Sequence, residues 1–366
     1  MKDRTTGTEK GTIVKKFVTG MKKRVTLSKK RAREVSEEPV ENSSAVYIRV
    51  RLADLDQASV ENHLLAGQQS SGHLYLIEGT FSDIARYAGL TAEWIIRVAR
   101  LLCEPLGSGR IFTHTTGTTD DWYSPDRTTS WREVVHGDVL LPGIYEFEPV
   151  HRIVLSKICE RQNRLVTTTG TTPNATTFRE QLERRDSRFP IVASHLIPRR
   201  LGPGGVTDVV ERFTGVTEVT DVDLFDPRIG ITLFEAVDHW VDRFQAGFYH
   251  ITSDTYTVHN FHADYPGLTI FGSDPDPDLN LPSLHGRQVT LSVHAGNHPL
   301  PPPGIFNWHY IQCVIKRFGT PQYKNLPDIR YFIHPFRTAS DSPDEENSDD
   351  FDNNPPMCGA FGCGVG

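Results

Sequence analysis

Charge is segregated along this chain, and that confines any packed core to its middle. Residues 1–34 carry twelve Lys/Arg against Asp3, Glu9 and Glu34, a balance of 12 − 3 = +9. Residues 341–366 carry seven acids and no Lys or Arg, a balance of −7. With 39 Lys/Arg and 46 Asp/Glu in 366 residues, the middle holds 27 bases and 36 acids, or −9. Both ends lack an apolar period and read as solvated, disordered tails, residues 1–44 basic and 337–366 acidic. An acidic body argues against wrapping nucleic acid over a wide surface and leaves room for a local basic site.

No stretch approaches the roughly 18 apolar residues of a membrane span, so no membrane partner is expected. The basic start has no apolar segment behind it, so a secretory signal is not expected. Within it, Lys22-Lys23-Arg24 and Lys29-Lys30-Arg31 with Arg33 form two basic clusters, a pattern that points to the nucleus, with the cytoplasm as alternative. The five cysteines (Cys103, Cys159, Cys313, Cys358, Cys363) show no framework spacing, which favours a reducing compartment.

The middle reads as α+β. In a mixed N-terminal domain, residues 45–150, Val46–Leu52 alternates like a strand and Leu74–Ile77 is a second short apolar run. Phe81–Cys103 is helical with a break at Gly89, and Val134–Phe147 reads as two strands joined at Leu141-Pro142-Gly143. The break suggests a helix-turn-helix, but the second helix is mostly apolar, so a packed helical hairpin is the plainer reading. A Thr-rich linker, 151–176, precedes a second domain, 177–336. There Thr177-Phe178-Arg179-Glu180 has the capping-box form.

Six arginines fall between 178 and 200, making a basic spot in which Arg199 and Arg200 are candidates for nucleic-acid contact. Ile191–Leu196 is a strand stopped by Pro198, with His195 near its end, where a rigid backbone could aim a general base. Leu233, Val237, Trp240, Val241 and Phe244 share one face of a helix. Asp238 and Asp242 lie four apart on another face, with His239 adjacent, a spacing at which two carboxylates can share a divalent cation.

The succession Phe178-Arg179…Arg185-Asp186, Ala193-Ser194-His195-Leu196-Ile197-Pro198 and Asp226-Pro227-Arg228-Ile229-Gly230 resembles the HNH-nuclease-domain proteins common in fungi. Leu141-Pro142-Gly143-Ile144-Tyr145, Gly286-Arg287, Pro301-Pro302-Pro303 and Phe306–Val314 extend the resemblance over roughly residues 140–320. It implies an HNH-like ββα-metal domain, a β-hairpin and helix clasping one ion, that hydrolyses phosphodiesters of nucleic acid, DNA rather than RNA. His195 becomes the general base, Asp238, His239 and Asp242 the metal ligands, and Arg228 a phosphate-binding or structural arginine.

This chain departs from that pattern. The family's Asn, which orients the base, is Ile229. The residue before the base is Ser194, a poor ligand. The family's Cys-x-x-Thr-Gly hairpin is missing, since only nine positions separate Asp186 from His195. Counted from Gly230, the family's helix His falls on Asp238, with His239 one residue late, and an Asp ligand favours Mg²⁺ or Mn²⁺ over Zn²⁺. Two readings follow: a metal-dependent endonuclease weakened by the lost Asn, or a non-catalytic nuclear DNA-binding or regulatory protein on the same fold.

Overall fold

A computed structural model describes residues 44–56, 72–104, 109–114, 131–159, 173–186, 192–215, 224–262, 284–292 and 298–326. The basic arm, the Thr-rich stretch 167–172, residues 337–366 and Cys358 and Cys363 lie outside the described residues. The described chain is α+β.

A five-stranded sheet with the order β2-β1-β6-β4-β5 uses β1 (Ala45–Arg51), β2 (His73–Thr80), β4 (Gly109–His114), β5 (Trp131–Val134) and β6 (Gly143–Pro149). β1 runs parallel to β6 and every other neighbour is antiparallel. β3 (Cys103–Glu104) pairs with β7 (Val154–Leu155). The alternation read in 46–52 is real: Val46, Ile48 and Val50 enter the main core, while Tyr47 and Arg49 take the opposite face. β5 and β6 were expected to form a hairpin, yet β4 lies between them.

After β2 comes α1 (Phe81–Ala88), capped by the Thr80 side chain accepting from the Asp83 amide at 3.1 Å. Gly89, at φ 64°, turns the chain into α2 (Glu93–Leu102). Trp94, Ile95, Ile96, Val98, Ala99, Leu101 and Leu102 of α2 are all buried, so this helix cannot enter a DNA groove. The pair is a packed helical hairpin.

Then follow α3 (Pro173–Asp186), β8 (Val192–His195), α4 (Gly202–Thr214), β9 (Gly230–Leu233) and α5 (Glu235–Asp242). α3 begins at Pro173, so Thr177 lies inside the helix and is not its cap. A small sheet of β10 (Ala246–Thr252), β11 (Thr255–Asn260) and β12 (Gln288–Thr290) leads to α6 (Pro303–Phe318) and a last turn, α7 (Pro321–Lys324).

α6 is the spine of the molecule and packs against α2, α4, β2 and β10. Gly304 permits the closest of these approaches, because a Cβ there would stand 2.0 Å from the Phe213 carbonyl oxygen. One hydrophobic cluster runs from Val46 to Leu326, so the stretches before and after residue 150 share a core. By internal contacts both belong to one unit, Glu41–Gly366. No helix among the described residues is long and apolar enough to cross a membrane.

Candidate functional site

β8 and β9 form an antiparallel ribbon in the register Val192–Leu233, Ala193–Thr232, Ser194–Ile231 and His195–Gly230. Opposed residues share a face, so His195 and Gly230 point one way and Ser194 and Ile231 the other. α3 covers the His195 face. A side chain at 230 could not fit beneath it, because a Cβ there would lie 2.4 Å from Phe178 Cζ and 2.8 Å from the Ser194 oxygen. α5 packs against β8 and β10.

What fastens α3 to the ribbon is the Arg185-Asp186 pair. Arg185 is fully buried and donates to the carbonyls of Pro227 (2.7 Å), Gly230 (2.8 Å) and Pro299 (3.1 Å), and to Asp186 Oδ2 at 3.0 Å. Asp186 Oδ2 also accepts from both the amide and the hydroxyl of Thr232 at 2.8 Å. In sequence Arg185 counts toward a basic spot. In the structure it is a clamp with no surface.

His195 does end a strand, but it is only part-exposed and lies against aromatic rings. Its imidazole stacks on Phe178 with centroids 4.2 Å apart, and meets Phe225 edge-on at 6.1 Å. Nε2 lies 3.0 Å from the Leu224 carbonyl oxygen. A carbonyl only accepts, so Nε2 carries the hydrogen and Nδ1 is the basic nitrogen. Burial, and then the Arg199 charge, push the pKa down to about 4, against weaker upward pulls from the Leu224 carbonyl and Asp242. The ring is therefore neutral at pH 7.

The expectation that His195 lacks an orienting partner needs correcting, since the Leu224 carbonyl takes that part. Ile229 was treated as the vacancy left by an Asn. It is 1% exposed, and its carbonyl accepts from the Leu196 amide at 2.9 Å. One step beyond the His195–Gly230 pair, Ile229 and Leu196 turn to the opposite face and join the core. An Asn at 229 would enter that core, facing away from the imidazole.

The expected ligands on α5 all lie off the buried stripe of that helix. Val237, Trp240 and Val241 are buried. At about 100° per residue, Asp238 lies to the side of that face, and Asp242 and His239 both point nearly away from it. His239 is exposed, while both aspartates are partly buried. Asp242 lies close enough to pull on His195 and on His309, a residue that sequence reasoning missed. His309, 1% exposed on α6, bonds the Val241 carbonyl through Nε2 at 2.9 Å, tying α5 to the spine. Its only sequence signal was its place in the apolar run Phe306–Val314.

The donor set fails a test for an ion. Among the described residues, no three His, Cys, Asp or Glu side chains come together to hold a metal. Ser194, 2% exposed, faces the core with its hydroxyl lacking a hydrogen-bond partner.

The arginines are largely engaged. Arg228 forms an ion pair with Asp226 and is 40% exposed. Arg179 pairs with Glu183 at 2.6 Å, and Arg184 with Glu180 at 3.8 Å. Arg200 donates to Cys159 Sγ at 3.4 Å, and its guanidinium stands 5.9 Å from the Phe244 ring centre. Arg199 is exposed, with its guanidinium 5.6 Å from the ring centre of Phe225. Counter-charges leave this region far less basic than six arginines imply.

No family model, curated protein or solved structure matches the chain.

Proposed function

We propose that this chain is a non-catalytic relative of the HNH-type ββα-metal proteins, a nuclear nucleic-acid-binding or regulatory protein. Support for the kinship is the local order: a helix ending in Arg-Asp, a strand ending in His, a second strand and a helix packed on the first strand. One observation carries the loss of activity. The Phe178 ring stacks on His195 with Phe225 edge-on beside it, Nε2 is bonded to a carbonyl, and among the described residues no group of ligands stands ready to activate water or stabilise a leaving oxygen. Nucleic-acid affinity then belongs to the basic arm of residues 1–34 more than to the acidic body, with DNA as the ligand.

The competing reading is a weak enzyme. It is favoured by a neutral, carbonyl-oriented imidazole within the field of Asp242. Plasmid nicking in Mg²⁺, Mn²⁺ or Zn²⁺, with and without chelator, separates the two. The proposal expects no nicking above that of His195→Ala. Chelator-sensitive nicking abolished by His195→Ala would establish the enzyme. In parallel, duplex DNA binding should weaken steeply with salt and disappear on deletion of residues 1–34. Unchanged binding by the truncated chain would refute the assignment to the arm.

A further inference from the structure

The imidazole of His285 completes a strand edge where the backbone turns away. Along that edge of β11 the Gly286 amide bonds the Val258 carbonyl at 2.8 Å, and the Val258 amide bonds the Arg287 carbonyl at 2.9 Å. Two residues on, a side chain takes the place of a backbone partner, and the Asn260 amide donates to His285 Nδ1 at 3.1 Å. Nε2 of the same ring lies 3.0 Å from the carbonyl oxygen of Arg86, in the last turn of α1, where the helix has no amide left to offer. Tyr87 of α1 reaches the same residue, its hydroxyl donating to the Asn260 carbonyl at 2.9 Å.

These two partners tolerate only the neutral ring. The Arg86 carbonyl accepts, so Nε2 carries the hydrogen, and the Asn260 amide donates, so Nδ1 holds a lone pair. A proton on Nδ1 would set N–H against N–H, and a backbone amide cannot turn round to accept. His259 differs, because its Nδ1 lies 2.6 Å from the Tyr310 hydroxyl, which can accept as well as donate. His285 is partly exposed, so protons reach it from solvent. Facing it are His259 of β11, stacked at 5.4 Å, and from α1 the edge of Tyr87 at 5.4 Å and the Arg86 charge. His259, pushed down to about 3, and Tyr87, pushed up, are both neutral at pH 7. Burial lowers the His285 pKa from 6.5, the Arg86 carbonyl pulls it back, and the Arg86 charge adds to the lowering. A proton therefore strengthens the bond to Arg86 and breaks the one to Asn260.

We propose that His285 is a proton-operated joint: uncharged, it couples α1 to the edge of β11, and protonated, it releases the Asn260 amide while keeping its hold on Arg86. Amide hydrogen exchange in the full chain, corrected for the intrinsic rate at each pH, reads this at one atom. Protection of the Asn260 amide should fall about tenfold for each pH unit below 6.5 and be gone at the midpoint of the His285 ring titration, followed by NMR. The Val50 amide, in β1 between two paired neighbours, should stay protected. His285→Gln, whose amide takes up no proton in this range, and His285→Ala, which has no ring, should both remove the pH dependence at Asn260, the Ala variant with low protection throughout. Asn260 protection that stays constant through the ring titration overturns the proposal. So does a pH-dependent loss that survives in His285→Gln, and so does a loss shared equally by Asn260 and Val50, which would be global unfolding.

Discussion

The central sheet and the β8–β9 ribbon both bury an arginine against a carboxylate, and they use it differently. On the face of the sheet turned away from the main core, Glu146 of β6 collects Arg49 at 2.8 Å and Arg51 at 3.3 Å from β1 and His73 at 3.2 Å from β2. There one carboxylate gathers two arginines and a histidine, and the cluster helps hold β2, β1 and β6 in register. In the ribbon one cation gathers backbone, since Arg185 binds three carbonyls from segments up to 114 residues away. The sheet would keep its ladders without Glu146. The ribbon is two four-residue strands, and Arg185-Asp186 reinforces the packing of Phe178 and Leu182 that holds α3 over His195.

Loss of Arg185 should therefore cost the most. Arg185→Leu would leave three carbonyls without this donor and Asp186 with only its Thr232 bonds, a cost of about 3–5 kcal/mol by analogy with other broken buried pairs. Chemical denaturation should show it, and Arg179→Leu, at an exposed pair, should cost under about 1 kcal/mol. Comparable loss at the two sites would break the contrast between clamp and surface pair.

Ile229→Asn comes next. It places an amide in the core opposite Leu196, so destabilisation of about 2–4 kcal/mol is expected, with no gain of nicking. A stable, nicking-competent Ile229→Asn would mean that residue 229 reaches His195 after all.

The two regions should also separate on acidification. Burial alone would raise the Glu146 pKa, but His73 and Arg49 outweigh it and bring it from 4.5 to about 2. The folded pKa is depressed, so the unfolded chain binds the proton first as pH falls. Stability from Glu146 is complete above about 4.5 and is lost between there and about 2, roughly 3 kcal/mol in all. His195 and His309 are both lowered from 6.5 to about 4, chiefly by burial, so they stay neutral in the fold while the unfolded chain protonates. Their penalty is absent above about 6.5 and grows as pH falls toward 4. Stability measured from pH 7 to 3 should fall first through the histidines. His195→Gln should make the limb between 6.5 and 4 shallower, His309, His259 and His285 keeping the rest of it, and Glu146→Gln should change only the limb below 4.5. The reverse assignment would contradict the burial described for these groups.

How much of this was legible in the sequence depends on how local each feature is. β1 and the break at Gly89 were readable because alternation and a glycine at φ 64° are local facts. The β5–β6 hairpin was misread because β4, which separates them, enters from 17 residues before β5, and non-local pairing leaves no trace in either strand. Arg185 looked like any arginine in a basic stretch, since its carbonyl partners at 227, 230 and 299 become neighbours only on folding. The Leu224 carbonyl, which does the work expected of a side-chain amide, is a backbone atom that no residue pattern can announce. Ile229 appeared to be a lost functional residue until the ribbon register assigned it to the core.

The smallest perturbation is also the most direct test of the central claim, that His195 is a part-buried structural imidazole. A pH titration of the His195 ring by NMR, in the full chain, reports its charge without altering a residue. An apparent pKa near 4, unchanged by Mg²⁺, Mn²⁺ or Zn²⁺, is the result this account predicts. A pKa close to 6.5 that moves when a metal ion is added would contradict it, and would favour the competing weak-enzyme reading.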